Sequence, residues 1–365
     1  MKKVAVIMAG GAGERFWPFS RQVRPKQLLP ITGKKSMLSE SIEKIADLIP
    51  KDDCYIVTNA LLKKAILEDV KEFPESNIFC EPLGRNTAPC LAFASAILSK
   101  KFDDCLVAVL TADHLIKNDK AYLKNINLAL RTAENEEVLV TFGIPPNRPE
   151  TGYGYIQIDK WIKKTSLGWV AKVKRFHEKP NLETAKKYLK SRSFYWNSGM
   201  FFWRNSVILS AFKKFSPPLF NGIQGIKEAL DTPQKTQVIK ETFENFENIS
   251  IDVAIMEKFP QIRMIKADFE WDDIGCWKSL ERIGKKDKDG NTLIGNVLAI
   301  DTKNTIAFAE SSKTKSMQPL VALLGVEDYV VVTSGECILV CPKDRVQDVK
   351  KIITELKKSN RIENI

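Results

Sequence analysis

The sequence predicts an α/β fold with a doubly wound sheet, followed by a smaller β-rich domain at its C-terminal end. Two observations carry this. Short apolar runs alternate with amphipathic segments through the first part of the chain, and strand-like segments dominate after about residue 285. A chain of 365 residues is also long enough to hold two domains.

Residues 4–8, 54–57 and 106–110 are continuously apolar or nearly so, as strands buried on both faces of a parallel sheet must be. Residues 37–48, 61–73 and 88–100 read as the helices between them. Further strands are expected at 138–143, 153–158, 170–176 and 200–203, with helices at 182–189 and 206–215. Beyond the lysine-rich turn at 284–290 lie strands at 297–300, 320–324, 329–333 and 337–340, then a final helix at 346–357. The expected domains are therefore 1–285 and 286–365. In a doubly wound sheet the ligand site lies beyond the carboxyl ends of the strands. Three candidate motifs fall at such ends: the glycine loop after residue 8, Glu81-Pro82, and Asp113.

Composition excludes several classes. No apolar run approaches the ~18 residues of a membrane span, so no membrane association is expected. The apolar start at 4–8 runs at once into Gly10-Gly11-Ala12-Gly13, which reads as a strand entering a functional loop and implies a cytoplasmic protein. Seven cysteines lie scattered without a CxxC pair, which signals reduced thiols rather than a disulfide framework or a zinc site. The net charge of +11 is spread along the chain with no recognisable nucleic-acid module. A solvated basic surface is the expectation, and a pocket for a small polyanion would use only a few of these charges.

Glycines in Ala9-Gly10-Gly11-Ala12-Gly13-Glu14-Arg15-Phe16-Trp17-Pro18 let backbone N–H groups approach phosphate oxygens. Phe16 stands where a dinucleotide fingerprint needs a third glycine, and no Gly-Lys-Ser/Thr closes the loop as a P-loop requires. The loop carries Arg15 instead, and Pro25-Lys26-Gln27 follows. Two cations beside a glycine cradle suit phosphoryl or nucleotidyl transfer, whose transition state spreads negative charge over phosphate oxygens.

This run resembles the signature of the sugar-phosphate nucleotidyltransferases, and within them the mannose-1-phosphate guanylyltransferase branch. The resemblance continues through Glu81-Pro82, Gly84-Arg85-Asn86-Thr87-Ala88-Pro89, Ala112-Asp113-His114 and Pro149-Glu150-Thr151-Gly152-Tyr153-Gly154-Tyr155. It resumes at Phe176-His177-Glu178-Lys179-Pro180, Trp196-Asn197-Ser198-Gly199-Met200 and Phe269-Glu270-Trp271-Asp272-Asp273-Ile274-Gly275. Thr111 replaces an expected proline, and His177 fills a variable position.

The resemblance implies a Rossmann-like mixed sheet flanked by helices, the nucleotide-diphospho-sugar transferase fold. It implies transfer of GMP from GTP to α-D-mannose 1-phosphate; another sugar phosphate or base, or a non-catalytic nucleotide-sugar sensor, is the alternative. Asp113 and Asp273 are expected to hold Mg2+, Asp273 being chosen over Asp272 by its place in the motif. Lys26 and Arg15 would contact the triphosphate. Ala9, Gly10, Gly11, Gly13, Asn86, Thr87 and Ala88 would line the nucleotide. Glu81 would accept from the N1–H and amine of guanine. Gly152, Glu178, Lys179 and Asn197 would bind the sugar phosphate. The C-terminal region would be a small β-helix-like domain that pairs subunits into a homodimer, although hexapeptide repeats are missing. The length predicts no added isomerase domain.

Overall fold

The structure is a computed structural model, and it describes residues 1–310 and 319–365. It divides into two compact units, neither of them continuous in sequence. Met1–Gly10, Ser41–Ala112 and Ile116–Trp271 make the first; Gly11–Glu40, Asp113–Leu115 and Asp272–Ile365 make the second.

Nine strands form the sheet of the first unit: β1 (Lys2–Met8), β2 (Cys54–Asn59), β3 (Ile78–Glu81), β4 (Cys105–Thr111), β5 (Leu139–Ile144), β6 (Tyr155–Thr165), β7 (Gly168–His177), β8 (Phe194–Arg204) and β9 (Ile262–Lys266). Their order is β3-β2-β1-β4-β8-β5-β9-β7-β6. The first four strands pair in parallel, with Ile7 opposite both Ile56 and Leu110. β8 runs antiparallel beside β4, so the sheet is mixed. Val4, Ala5 and Ile7 are fully buried, which accounts for the unbroken apolar run. The helix Thr87–Lys101 buries every residue from Ala88 to Ala96. It packs on all sides, so its sequence lacks a polar stripe. Parallel pairing brings the carboxyl ends of β1 and β3 to one end of the sheet, which carries Ala9, Gly10 and Glu81 there.

The strands of the second unit are β10 (Thr292–Ile294), β11 (Val297–Ile300), β12 (Ile306–Ala309), β13 (Val321–Leu324), β14 (Tyr329–Ser334) and β15 (Cys337–Pro342). β10, β12 and β14 stack in parallel, and β15 closes that sheet antiparallel. β11 and β13 pair in parallel, with Val297 opposite Val321, while Ile306 lies opposite Val330. The offset along the chain is the same for these two pairs, while the step from β10 to β12, with Thr292 opposite Ile306, is shorter. Successive coils therefore add a strand to each sheet, a β-helix-like stacking reached without hexapeptide repeats. β10 and β12 were not among the strands expected from the sequence; three residues, as in β10, are too few to establish a period. The expected final helix starts as a tight turn, Lys343–Asp348, and becomes α-helical over Val349–Lys358.

The glycine loop belongs to the core of this second unit. Phe16, Trp17 and Phe19 share one apolar cluster with Val330, Leu339 and Val349. The Trp17 indole donates to the Asn364 carbonyl at 2.7 Å, and the Trp277 indole donates to the Trp17 carbonyl at 3.0 Å. Buried indoles find such acceptors because an unpaired N–H in an apolar core is costly. No described helix is long and apolar enough to cross a membrane.

Candidate active site

In the second unit, Gly13 adopts φ +62° at the start of the turn Glu14–Phe16. A Cβ there would lie 2.5 Å from the Lys26 Cβ, so only glycine admits both this backbone and this approach. Lys26 is buried. Its ammonium donates to Asp113 Oδ2 at 3.0 Å and to the Asp273 carbonyl at 2.7 Å. Burial alone would raise the Asp113 carboxyl, but Lys26 and His114 beside it hold it below the usual carboxylate value. Burial lowers the His114 imidazole, against the opposing charge of Asp113.

The two adjacent aspartates have different surroundings. Asp272 is buried and accepts from the Arg282 guanidinium at 2.6 and 2.8 Å and from the Ile274 N–H at 2.9 Å. Asp273 instead lines a cavity of about 370 Å³ with Ala12 to Phe16, Lys26, Asp113 and His114. A Cβ on Gly275 would meet Asp273 Oδ2 at 2.8 Å, so glycine keeps room for that carboxylate.

Two carboxylates opening on one polar cavity, one of them held ionised by a lysine, fit a hard divalent cation. Such an ion takes few protein oxygens and completes its shell with phosphate oxygens and water. Among the described residues no three His, Cys, Asp or Glu side chains converge as a metal cage.

In the first unit, Ala9 is buried and donates to the Val57 carbonyl at 2.8 Å. A Cβ on Gly10 would stand 3.6 Å from Glu81 Oε2. Glu81, at the end of β3, is buried, and its Oε1 has no hydrogen-bond partner among the described residues. Burial pushes its carboxyl up to about 8. Asn86 takes φ +71° and caps the helix Thr87–Lys101, its Oδ1 accepting from the Thr87 N–H at 2.8 Å. Thr87 Oγ1 accepts from the Ile251 N–H at 2.8 Å, and the buried Ala88 donates to the Ile249 carbonyl at 3.1 Å.

Also in the first unit, Glu178 and Lys179 form an exposed ion pair where β7 runs out, with Lys179 at φ +41°. Gly152 is exposed, and its N–H donates to Glu150 Oε1 at 3.3 Å. A Cβ on Gly154 would lie 2.9 Å from Glu178 Oε2, so the close approach occurs at Gly154. Asn197 donates to Asp252 Oδ1 at 2.7 Å while its own Oδ1 accepts from the Gly199 N–H at 3.2 Å. Burial pushes the Asp252 carboxyl up to about 6; the Asn197 hydrogen bond opposes the rise and the Glu178 charge adds to it.

Sequence reasoning missed Asp252, which sits on the π-helical turn Asp252–Met256. Such turns often mark functional sites but carry no sequence signature. It also passed over Arg282, and Lys350 on the final helix, which joins Arg15 in lining the cavity.

A model of the nucleotidyl transferase family matches residues 4–290, and one for the mannose-phosphate isomerase/GMP-like β-helix domain matches residues 295–356. Mannose-1-phosphate guanylyltransferase of Salmonella muenchen is 37% identical over 371 residues, covering 100% of this chain and 75% of that protein. The Klebsiella pneumoniae enzyme of the same name is 38% identical over 362 residues, covering 98% of this chain and 74% of that protein. A crystal structure of mannose-1-phosphate geranyltransferase from Thermus thermophilus superposes with TM-score 0.84 at 30% identity, over 98% of this chain and 100% of that one.

Proposed function

This chain belongs to the mannose-1-phosphate guanylyltransferase family of nucleotidyl transferases, which transfer GMP from GTP to α-D-mannose 1-phosphate to give GDP-mannose and pyrophosphate, and we propose that it does so through the residues gathered around Lys26. The observation that carries this reading is the convergence of Lys26, Asp113 and Asp273 on one polar cavity beside the Gly13 turn.

A phosphate oxygen of mannose 1-phosphate attacks the α-phosphorus of GTP, the bond from that phosphorus to the α–β bridging oxygen breaks, and pyrophosphate leaves. No covalent intermediate on the protein is required. Lys26, already aimed by two acceptors, stabilises charge on the transferring phosphate without reorganising during the step. Arg15 contacts the triphosphate, and the Gly10, Gly11 and Gly13 backbone lies along it. Asp113 and Asp273 would hold Mg2+, which would supply positive charge to offset that of the phosphates. Glu81 accepts from guanine, with Ala9, Asn86, Thr87 and Ala88 around the base. Glu178, Asn197 and Gly152 meet the hexose hydroxyls and Lys179 its phosphate, leaving the Glu178 pair on binding. Holding both phosphates in line is itself a large part of catalysis.

On this reading residues 1–285 form the catalytic domain and 286–365 a β-rich domain that pairs subunits into a cytoplasmic homodimer. The test is pyrophosphate release over a grid of nucleoside triphosphates and sugar 1-phosphates, with and without Mg2+. GTP with mannose 1-phosphate and Mg2+ should give the highest kcat/KM. Preference for another pair would refute the substrate assignment, and release without any divalent ion would refute the carboxylates' role.

A further inference from the structure

We infer that Lys350, on the helix Val349–Lys358 near the C-terminal end, binds the β- and γ-phosphates of the nucleotide and the pyrophosphate that leaves. The inference deepens the proposed function and rests on reading the cavity around Lys26 as the triphosphate site.

Charge on the cavity wall makes the case. Glu14, Asp113 and Asp273 contribute carboxylates, and Lys26 is already committed to Asp113 and to the Asp273 carbonyl. A polyphosphate brings several more negative charges, so further cations must face it. Arg15 and Lys350 line the same cavity, and neither has a carboxylate partner among the described residues.

The final helix carries four lysines, and their partners differ. Lys351 pairs with Asp348 at 2.8 Å, Lys358 with Glu355 at 2.7 Å, and Lys357 with Glu14 at 3.6 Å. Lys350 stands apart from these three and is the one that reaches the cavity. Its backbone is nevertheless held firmly, because Val349 and Ile353 are buried in the apolar cluster that also holds Phe16 and Trp17. The packing that seats the glycine loop therefore also presents this ammonium beside it. In consequence the β-rich region supplies a substrate-binding group as well as its own fold.

The experiment measures both directions of the reaction in full-length protein carrying Lys350→Gln, Lys350→Arg or Lys351→Gln. Lys350→Gln should raise KM for GTP and for pyrophosphate about ten-fold, the scale of one hydrogen bond to a charged group. KM for mannose 1-phosphate and GDP-mannose should hardly change. Lys350→Arg should restore most of the loss, since the charge is kept. Lys351→Gln, which removes a neighbouring charge whose partner Asp348 does not line the cavity, should behave as wild type. The Lys350→Gln effect should shrink as salt screens the cation. An unchanged KM for pyrophosphate in folded Lys350→Gln overturns the inference. So does an arginine variant as impaired as the glutamine one with both melting early, which would mean a packing role. A wild type that cannot consume GDP-mannose with pyrophosphate would overturn the reading of the site, and this inference with it.

Discussion

Lys26 in the second unit and Glu81 in the first are both buried ionisable side chains, yet the structure treats them in opposite ways. Lys26 makes two short hydrogen bonds, to Asp113 and to the Asp273 backbone, with Gly13 packed against its own Cβ. Glu81 leaves one carboxylate oxygen without a partner among the described residues, and burial raises its carboxyl to about 8. A buried polar group left unsatisfied costs free energy, so such an atom usually awaits a ligand or a water. The difference teaches what each region is prepared for. On the proposed reading, a group that would meet phosphate is aligned beforehand, whereas a group that would read a base would gain its hydrogen bonds only on binding.

The largest effect should come from breaking the prepared side. Lys26→Gln removes the charge and both aligned contacts, and turnover should fall on the order of 10²-fold or more. A stopped assay of pyrophosphate release, on protein whose melting temperature shows it folded, reads this directly. Turnover close to wild type would mean that the tight geometry around Lys26 is structural only.

Asp272 and Asp273 sharpen the same contrast within two residues. Asp272→Asn loses a two-pronged Arg282 pair at a buried site and should cost about 1–3 kcal/mol of stability, while folded molecules keep most of their turnover. Asp273→Asn, on the cavity wall, should melt nearly as wild type and lose Mg2+-dependent activity, as should Asp113→Asn. Paired melting curves and activities of the three variants decide it. If Asp272→Asn abolishes turnover in folded protein, the roles given to the two aspartates are exchanged.

The first-unit sheet was legible because strands buried on both faces have almost no choice but a continuous apolar run, as at Val4 to Ile7 and Leu106 to Leu110. The glycine loop was legible for a related reason: contact with Lys26 leaves glycine alone acceptable at position 13. Adjacent aspartates cannot be told apart from their own letters, since Arg282 on the following helix takes Asp272. Asp252 was hidden because its meaning comes from meeting Asn197 across a long stretch of chain, on a turn with no local pattern. Lys350 was hidden too, one lysine among four on a helix whose letters do not say which of them faces a cavity.

The smallest expected effect tests the unprepared side through pH. Free Glu81 titrates at about 8, so near pH 7 it is mostly protonated. Guanine offers donors at N1 and its amine, and these require an acceptor, so binding GTP should drive the proton off. Below pH 8 that proton release opposes binding; above it the carboxylate is already ionised. KM for GTP should therefore fall about ten-fold as pH rises from about 6.5 to 8, then level off. The triphosphate titrates as well, so the quantity to plot is the ratio of KM in wild type to KM in Glu81→Gln at each pH. An amide does not ionise in this range, and the ratio isolates Glu81. Glu81→Gln should also weaken the preference for GTP over ATP, because an amide can present either a donor or an acceptor. Profiles that run parallel at every pH, with an unchanged GTP-to-ATP ratio, would clear Glu81 of base recognition. The partnerless oxygen would then have to be satisfied by ordered water.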